Sequence, residues 1–246
     1  MNKTVIISGG SRGIGRAIVE KYLNKNYFVH ILSRNSNDFT QTILHENKRA
    51  FFYKCDARII KQLKQTRNLI LSKTPNIDIL ICNIGNGSGQ NDALQDKKDW
   101  EYSWETNFDT PLNMIRVFKN ELVKSNGKLL FISSIAGIEF IGAPVSYSIS
   151  KSALITLSKN LAKKLAPNIR VNTVAPGNIF FKGGTWDKKM QENPKKVNEM
   201  LKKKIPLQRF GKPEEVAELV YFINSDKAAF MTGSCIIFDG GQTNIF

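Results

Sequence analysis

Short stretches rich in β-branched and aromatic residues alternate with longer amphipathic stretches from one end of the chain to the other. The first kind predicts seven strands, over Thr4–Ser8, Phe28–Leu32, Ala50–Tyr53, Ile77–Ile81, Lys128–Ser133, Arg170–Ala175 and Ser234–Phe238. The second kind predicts helices over Gly13–Asn24, Ile59–Ser72, Asp99–Lys124, Ser146–Leu165 and Pro213–Asn224. Because strands that alternate with helices pair in parallel, this order predicts an α/β fold: a doubly wound parallel sheet of about seven strands with helices on both faces.

The chain is predicted to form one domain over residues 1–246, because no linker rich in proline, glycine and serine and no internal repeat divides it. One stretch, from Gly177 to Leu207, stands out by its glycine pair, tryptophan and lysines between a strand and a late helix. Loops beyond the carboxyl ends of parallel strands form ligand crevices. We therefore expect a substrate lid at about residues 178–207.

The composition is that of a folding globular chain, with 41% hydrophobic and 23% charged residues. The longest apolar-looking stretch, residues 129–145, is interrupted by serine, glycine and glutamate residues, so we expect no membrane partner. The amino terminus has only three consecutive strongly apolar residues before a glycine cluster, too few for a signal peptide. A cytoplasmic location is therefore expected.

The chain is basic, with 36 lysines and arginines against 21 acidic residues and a formal net charge of +15. Such a balance raises the question of nucleic-acid binding, but most of the excess is lysine scattered along polar faces, so we expect no nucleic-acid partner. Ten basic residues are concentrated between Lys182 and Lys212. This segment either forms a solvated helix face or attracts an acidic substrate or carrier.

The three cysteines, Cys55, Cys82 and Cys235, lie far apart in the sequence. They show neither paired metal-ligand spacing nor a redox Cys-x-x-Cys motif. We interpret them as buried small apolar residues and expect no metal site.

A strand, a glycine-rich turn and a helix open the chain. Gly9, Gly13 and Gly15 let the backbone approach a pyrophosphate, whose charge meets unpaired N–H groups at the start of the helix. This combination predicts a dinucleotide site. The spacing Gly-x-x-x-Gly-x-Gly resembles that of the short-chain dehydrogenase/reductase family.

Tyr147 and Lys151 form a Tyr-x-x-x-Lys pair, with Ser134 thirteen residues before the tyrosine. Positions four apart share a helix face, so both side chains can contact one ligand. A lysine cation favours the phenolate and brings the pKa of tyrosine, ordinarily near ~10, closer to neutrality. Such a tyrosine can donate or accept an alcohol proton, and Ser134 can hydrogen-bond a substrate oxygen as charge develops on it. The combination extends the resemblance to the same family.

The resemblance covers nearly the whole chain and implies a Rossmann-like fold and hydride transfer with a nicotinamide cofactor. Asn107 matches the family's helix asparagine, which holds a water that links the lysine to solvent. Asp56 matches the aspartate that contacts the adenine amine, with a helix cap as the alternative interpretation. The implied catalytic residues are Ser134, Tyr147, Lys151 and Asn107. The implied cofactor-binding residues are Gly9, Ser11, Arg12, Gly13, Ile14, Gly15, Ser33, Arg34, Asp56, Asn83, Gly85, Tyr147, Lys151, Pro176, Gly177 and Ile179.

Two departures from the family pattern concern the cofactor. The Asn-Asn-Ala-Gly stretch of relatives reads Cys82-Asn83-Ile84-Gly85 here, which replaces one asparagine and adds bulk near the adenosine ribose. Phe181 stands where relatives carry a threonine that touches the nicotinamide amide. Another group, or the backbone alone, is expected to hold that amide.

The end of the second strand indicates which dinucleotide is preferred. An NAD site places an acid there, whereas a 2′-phosphate calls for a cation. Here the chain reads Leu32-Ser33-Arg34-Asn35, so Arg34, assisted by Arg12 and Ser33, is expected to bind the phosphate. The predicted cofactor is NADP(H).

These observations predict an NADPH-dependent oxidoreductase that interconverts a ketone and a secondary alcohol. By layout the chain resembles 3-oxoacyl-carrier-protein reductases, which makes a 3-oxoacyl thioester one substrate class. The long aromatic and basic lid equally suits a sugar nucleotide or another phosphorylated keto compound. A non-catalytic NADP-binding regulator is the remaining alternative. Relatives pair through their long helices, so a homo-oligomer, a dimer or tetramer, is expected.

Overall fold

The computed structural model describes residues 3–89 and 92–244, and the ends of the predicted domain at 1–2 and 245–246 lie outside them. The strands are β1 (Thr4–Ser8), β2 (Phe28–Ser33), β3 (Ala50–Lys54), β4 (Ile79–Cys82), β5 (Lys128–Ile132), β6 (Arg170–Pro176) and β7 (Cys235–Phe238). They form one sheet in the order β3-β2-β1-β4-β5-β6-β7, with every neighbouring pair parallel. The predicted doubly wound α/β fold is confirmed.

The direction in which the sheet grows reverses beside β1. The chain runs outward from β1 to β2 and β3, then returns to place β4 on the other side of β1, with Ser8 paired to Leu32 on one flank and Cys82 on the other. The loops after β1 and β4 therefore diverge to opposite sides. This topology opens a crevice at the carboxyl ends of the strands.

Helices cover both faces of the sheet. They are α1 (Gly13–Asn24), α2 (Asp38–Glu46), α3 (Ile60–Lys73), α4 (Lys97–Trp104), α5 (Thr110–Lys124), α6 (Val145–Leu165), α7 (Thr185–Glu192), α8 (Pro194–Lys204) and α9 (Pro213–Ile223). On one face, Ile18 of α1 and Val220 of α9 pack against β-strand residues such as Ile7. On the other, Phe118 of α5 and Leu154 of α6 pack against Leu80 and its neighbours. The apolar spacing that predicted these helices is the spacing that buries them.

The predicted single helix over Asp99–Lys124 was wrong in one respect, because a π-helical turn at Glu105–Asp109 separates α4 from α5. The backbone N–H of Thr110 bonds the carbonyl of Glu105, five residues back, and the Thr110 hydroxyl donates to the same oxygen at 2.9 Å. Pro111 has no N–H for an α-helical bond to the carbonyl of Asn107, which is the physical reason for the wider turn.

The predicted lid segment carries two helices, α7 and α8, that the sequence analysis did not predict. Its base is closed by backbone bonds from Phe180 N to Gly211 O and from Gly211 N to Asn178 O, both 3.0 Å. These two hydrogen bonds therefore anchor both ends of the lid segment at the carboxyl end of β6. Helix α2 was also missed; Asn37 caps it, accepting from Thr40 N at 3.1 Å.

The cysteines only partly match their expected burial. Cys55 and Cys82 are buried, but Cys235 is half-buried because β7 is the edge strand of the sheet. Within residues 3–89 and 92–244, no three or more His, Cys, Asp and Glu side chains group as metal ligands. No helix in the same ranges is long and apolar enough to cross a bilayer.

Candidate active site

A cleft of about 470 Å³ opens at the carboxyl ends of β1, β2, β4, β5 and β6. Sixteen of the predicted site residues line it: Gly9, Ser11, Arg12, Ile14, Gly15, Ser33, Arg34, Asp56, Asn83, Gly85, Ser134, Tyr147, Lys151, Pro176, Gly177 and Ile179. Gly13 and Asn107 are not among the residues that line it. The parallel topology therefore gathers residues that are more than 160 positions apart in the sequence.

The glycine-rich turn needs its glycines for backbone reasons. Gly9 and Gly13 have φ of +69° and +51°, in the left-handed region. A Cβ on Gly15 would lie 2.1 Å from the carbonyl oxygen of Gly9, so the turn packs too tightly for any side chain there. Among the described residues, no side chain caps the start of α1 and no acid lies in its first turn. This helix N-terminus is suited to an anion.

Asn83 braces the turn from the neighbouring strand. Its side-chain Nδ2 donates to the carbonyls of Ser8 and Gly9, each at 3.1 Å, and its backbone N–H donates to the Ser8 hydroxyl at 3.0 Å. Ile84, the residue that adds bulk relative to the family pattern, packs against Gly9. The side-chain and backbone N–H groups of Asn83 are thus engaged within the protein.

Ser134, Tyr147 and Lys151 converge where β5 ends and α6 begins. Lys151 is buried, its Nζ donates to the carbonyl of Ile132 at 3.0 Å, and it lies 5.8 Å from the centroid of the Tyr147 ring. Ser134 caps a short 3₁₀ turn by accepting from Ala136 N at 3.1 Å, which leaves its hydroxyl proton available. Tyr147 is half-buried on the cleft wall.

The titration of the pair differs from the expected direction. Burial raises the pKa of the Tyr147 phenol, and a hydrogen bond with Ser134 opposes that rise. Burial also lowers the pKa of Lys151 to about 8. The expected lowering of the tyrosine pKa was wrong in direction, because loss of solvent outweighs the hydrogen bond with Ser134. At neutral pH the phenol is therefore protonated and able to donate.

Asn107 lies in the π-helical turn, fully buried. Its Oδ1 accepts from Asn86 N at 2.9 Å, and its Nδ2 donates to the carbonyls of Asn86 and Ser103 at 3.1 and 2.9 Å. These bonds tie the loop after β4 to the helix beneath it. Gly85 lies between Asn107 and the ammonium group of Lys151. A Cβ on Gly85 would lie 2.8 Å from Lys151 Nζ and 3.1 Å from Asn107 Oδ1.

We expect Gly85→Ala to lower turnover by about tenfold or more, since the new methyl group would displace the buried ammonium group of Lys151. Gly87→Ala is the matched control, because a Cβ there would meet the Tyr147 ring at an ordinary 3.4 Å. Turnover and thermal unfolding of both variants are the measurements. Equal activity of the two variants would contradict this account of Gly85.

One end of the cleft carries three arginines. Arg12 and Arg34 line it beside Ser33, whose hydroxyl lies 3.3 Å from that of Ser11. The third, Arg58, was missed by the sequence analysis. Its guanidinium group pairs with the Asp56 carboxylate at 2.6 Å. Asp56 does not cap α3, which begins at Ile60 with Ile59 as its N-cap.

The lid contributes side chains that the sequence analysis placed only as a segment. Thr185, Trp186 and Lys189 of α7 line the cleft, and Lys189 Nζ lies 4.7 Å from the centroid of the Trp186 ring. Phe181 also lines the cleft and packs against Gly13, on which a Cβ would meet its ring at 2.8 Å. The aromatic and basic residues after Gly177 indicated a lid in the sequence, but they did not indicate which side chains contact the cleft.

The family model described as enoyl-(acyl carrier protein) reductase matches residues 9–243. A 3-oxoacyl-(acyl-carrier-protein) reductase of Thermotoga maritima is 31% identical over 247 residues, covering 97% of each chain. A tropinone reductase homologue of Arabidopsis thaliana is 32% identical over 250 residues, covering 98% of this chain and 91% of its own. The chain belongs to the short-chain dehydrogenase/reductase family.

Solved structures agree with this membership. An NADP active-site complex of RhlG from Pseudomonas aeruginosa superposes with a TM-score of 0.88 at 28% identity, covering 97% of this chain and 95% of that one. ElxO with NADP bound superposes with a TM-score of 0.89 at 26% identity, covering 98% and 99%. The resemblance predicted from the glycine turn and the Tyr-x-x-x-Lys pair is confirmed.

Proposed function

We propose that this chain is an NADP(H)-dependent oxidoreductase that interconverts a ketone and a secondary alcohol. The observation that carries the proposal is the convergence of Ser134, Tyr147 and the buried Lys151 on one cleft with the glycine-rich turn. Family membership and the NADP complexes among the similar structures support it. The retained Ser-Tyr-Lys set argues against the alternative of a non-catalytic NADP-binding regulator.

The residues of the cleft fit an NADP(H) molecule. The tight turn around Gly15 and the free helix start suit the pyrophosphate, and Arg12, Arg34 and Ser33 provide donors for a 2′-phosphate. Lys151 would hold the ribose near the nicotinamide, beside the backbone of Pro176, Gly177 and Ile179. When bound, the cofactor supplies or accepts the hydride.

The protein's own residues handle the proton. Tyr147, protonated at neutral pH because burial raises its pKa, donates to the carbonyl oxygen in the reducing direction. Ser134 donates a hydrogen bond to the same oxygen as negative charge develops on it. The positive charge of Lys151 then stabilises the phenolate left on Tyr147. Asn107, behind Gly85, is proposed to hold the water that returns a proton to this set.

Two substrate classes stay open. A 3-oxoacyl thioester is supported by the similarity to 3-oxoacyl-(acyl-carrier-protein) reductases, and the basic segment 182–212 would suit an acidic carrier. A sugar nucleotide or another phosphorylated ketone is supported by Lys189, a lid cation that lines the cleft beside Trp186. Turnover of a panel containing both classes, followed by NADPH absorbance, distinguishes them. Absence of turnover on every ketone in the panel would count against the proposal.

Cofactor preference is tested at Arg34. We expect Arg34→Ala to weaken NADPH binding by about 10- to 100-fold, since a charge-assisted contact to the 2′-phosphate is lost. NADH has no such phosphate, so its affinity should change by less than about twofold. Dissociation constants of both cofactors for wild type and variant give the result. An unchanged NADPH affinity would remove Arg34 from the proposed site.

The remaining expectations concern assembly and location. A homodimer or homotetramer is proposed, paired through α4, α5 and α6, where Ile149 of α6 is 45% exposed and Val123 of α5 is 37% exposed. The mass of the protein in solution tests this. The cytoplasmic location and the absence of a nucleic-acid partner stay predictions.

A further inference from the structure

The adenosine end of the proposed NADP(H) site departs from what the family resemblance implies, and the departure centres on Arg58. The resemblance assigns Asp56 to the adenine amine, as an acceptor. In the structure the Asp56 carboxylate is already engaged by the residue two positions further on. Both residues line the cleft together with Arg34.

Arg58 uses nearly all the accepting capacity of that carboxylate. Its Nε donates to Oδ1 at 3.0 Å and to Oδ2 at 3.2 Å, its Nη2 donates to Oδ2 at 2.6 Å, and its backbone N–H donates to Oδ1 at 3.1 Å. A carboxylate offers about four lone-pair sites. An incoming amine would therefore have to compete with four existing contacts.

The guanidinium group is held from a second side as well. Its Nη1 donates to Glu105 Oε2 at 3.4 Å, and its side chain is 27% exposed. The Arg58 carbonyl also accepts from Asn113 Nδ2 at 3.4 Å. Two carboxylates thus hold the Arg58 side chain, and the Asn113 amide holds its backbone. Asp56 itself is held at its backbone N–H, which donates to Gln62 Oε1 at 2.8 Å.

We infer that Arg58, rather than Asp56, is the residue that this chain presents to the purine base, with Asp56 as its positioning residue. This inference rests on the proposed NADP(H) function. A guanidinium group carries five N–H donors and no acceptor, and the bonds to Asp56 and Glu105 leave one N–H on each of Nη1 and Nη2. These two donors recognise ring-nitrogen acceptors of the purine and cannot accept from its 6-amino group. Arg58 therefore recognises the purine base without a contact to its 6-amino group.

The inference has a direct test in nicotinamide hypoxanthine dinucleotide phosphate, the NADPH analogue with a 6-oxo group in place of the 6-amino group. If Asp56 accepted from the amine, the analogue would bind about tenfold or more weakly, since a hydrogen bond to a charged group is lost. If Arg58 faces the base, the analogue binds within about threefold of NADPH, because N3 and N7 remain acceptors and the 6-oxygen accepts in place of N1, which carries a proton in the analogue. Calorimetric titration of the whole protein measures both constants without turnover.

Two variants sharpen the result. Arg58→Ala frees the Asp56 carboxylate, so this variant should come to prefer NADPH over the analogue by about tenfold. Arg49→Ala removes an arginine outside the cleft and should keep the wild-type ratio. A wild-type preference for NADPH of about tenfold or more, or an unchanged ratio in Arg58→Ala, would overturn the inference while leaving the proposed function intact. Failure of the wild type to bind NADPH at all would overturn both.

Discussion

Tyr147→Phe is expected to lower turnover of a ketone by about 10³-fold, since it removes the acid that lies beside Ser134. The ring and its packing are kept, so NADPH affinity should stay within about twofold of wild type. The phenol lies in a half-buried position on the cleft wall, where burial raises its pKa and keeps it protonated at neutral pH. Steady-state turnover and calorimetric NADPH titration are the two measurements.

The matched control is Tyr221→Phe. Tyr221 lies on α9 in an aromatic cluster with Tyr22 and Tyr27, and it does not line the cleft. Its loss of a hydroxyl should leave turnover unchanged. Comparable losses in the two variants would point to a structural effect, and full activity of Tyr147→Phe would refute the role of this phenol.

Lys151→Met is expected to abolish measurable turnover and to raise the melting temperature at neutral pH. Lys151 is 2% exposed, and burial lowers the pKa of its ammonium group to about 8 from an ordinary 10.5. The folded protein therefore binds this proton less tightly than the unfolded chain does. Keeping the charge buried costs on the order of 3 kcal/mol of folding free energy, which methionine would not require.

The sign of this effect fixes its pH dependence. The cost is fully present below about pH 8, shrinks as the pH rises toward the ordinary lysine pKa, and vanishes above it. The stability advantage of Lys151→Met should thus fall between about pH 8 and about pH 10.5. Lys163→Met, at an exposed position of the same helix, should change neither stability nor turnover. A Lys151→Met protein less stable than wild type at neutral pH would contradict this cost of burying the charge.

The sequence was informative where chemistry and local geometry coincide. The glycines of the first turn are required by backbone conformation, and the four-residue spacing of Tyr147 and Lys151 places them on one helix face. Alternating strands and helices predicted the parallel sheet, with strand ends within two residues of those observed. Each of these features depends on residues that are close together in the chain.

Features that depend on distant partners could not be predicted. The π-helical turn at Glu105–Asp109 is a local feature, but a single proline at position 111 does not indicate it within an otherwise helical pattern. The use of Asn83 as a brace depends on carbonyls of β1. The Asp56–Arg58 ion pair is local in sequence. Its relevance to cofactor binding depends on the fold, which places both residues in the cleft with Arg34.

The most direct test of the central claim is label transfer from NADPH that carries deuterium at the transferable position of the nicotinamide ring. With a ketone that wild type turns over, the alcohol product should carry one deuterium on its carbinol carbon, and Tyr147→Phe should form that product about 10³-fold more slowly. An alcohol without the label, or equal rates in the two proteins, would contradict the account.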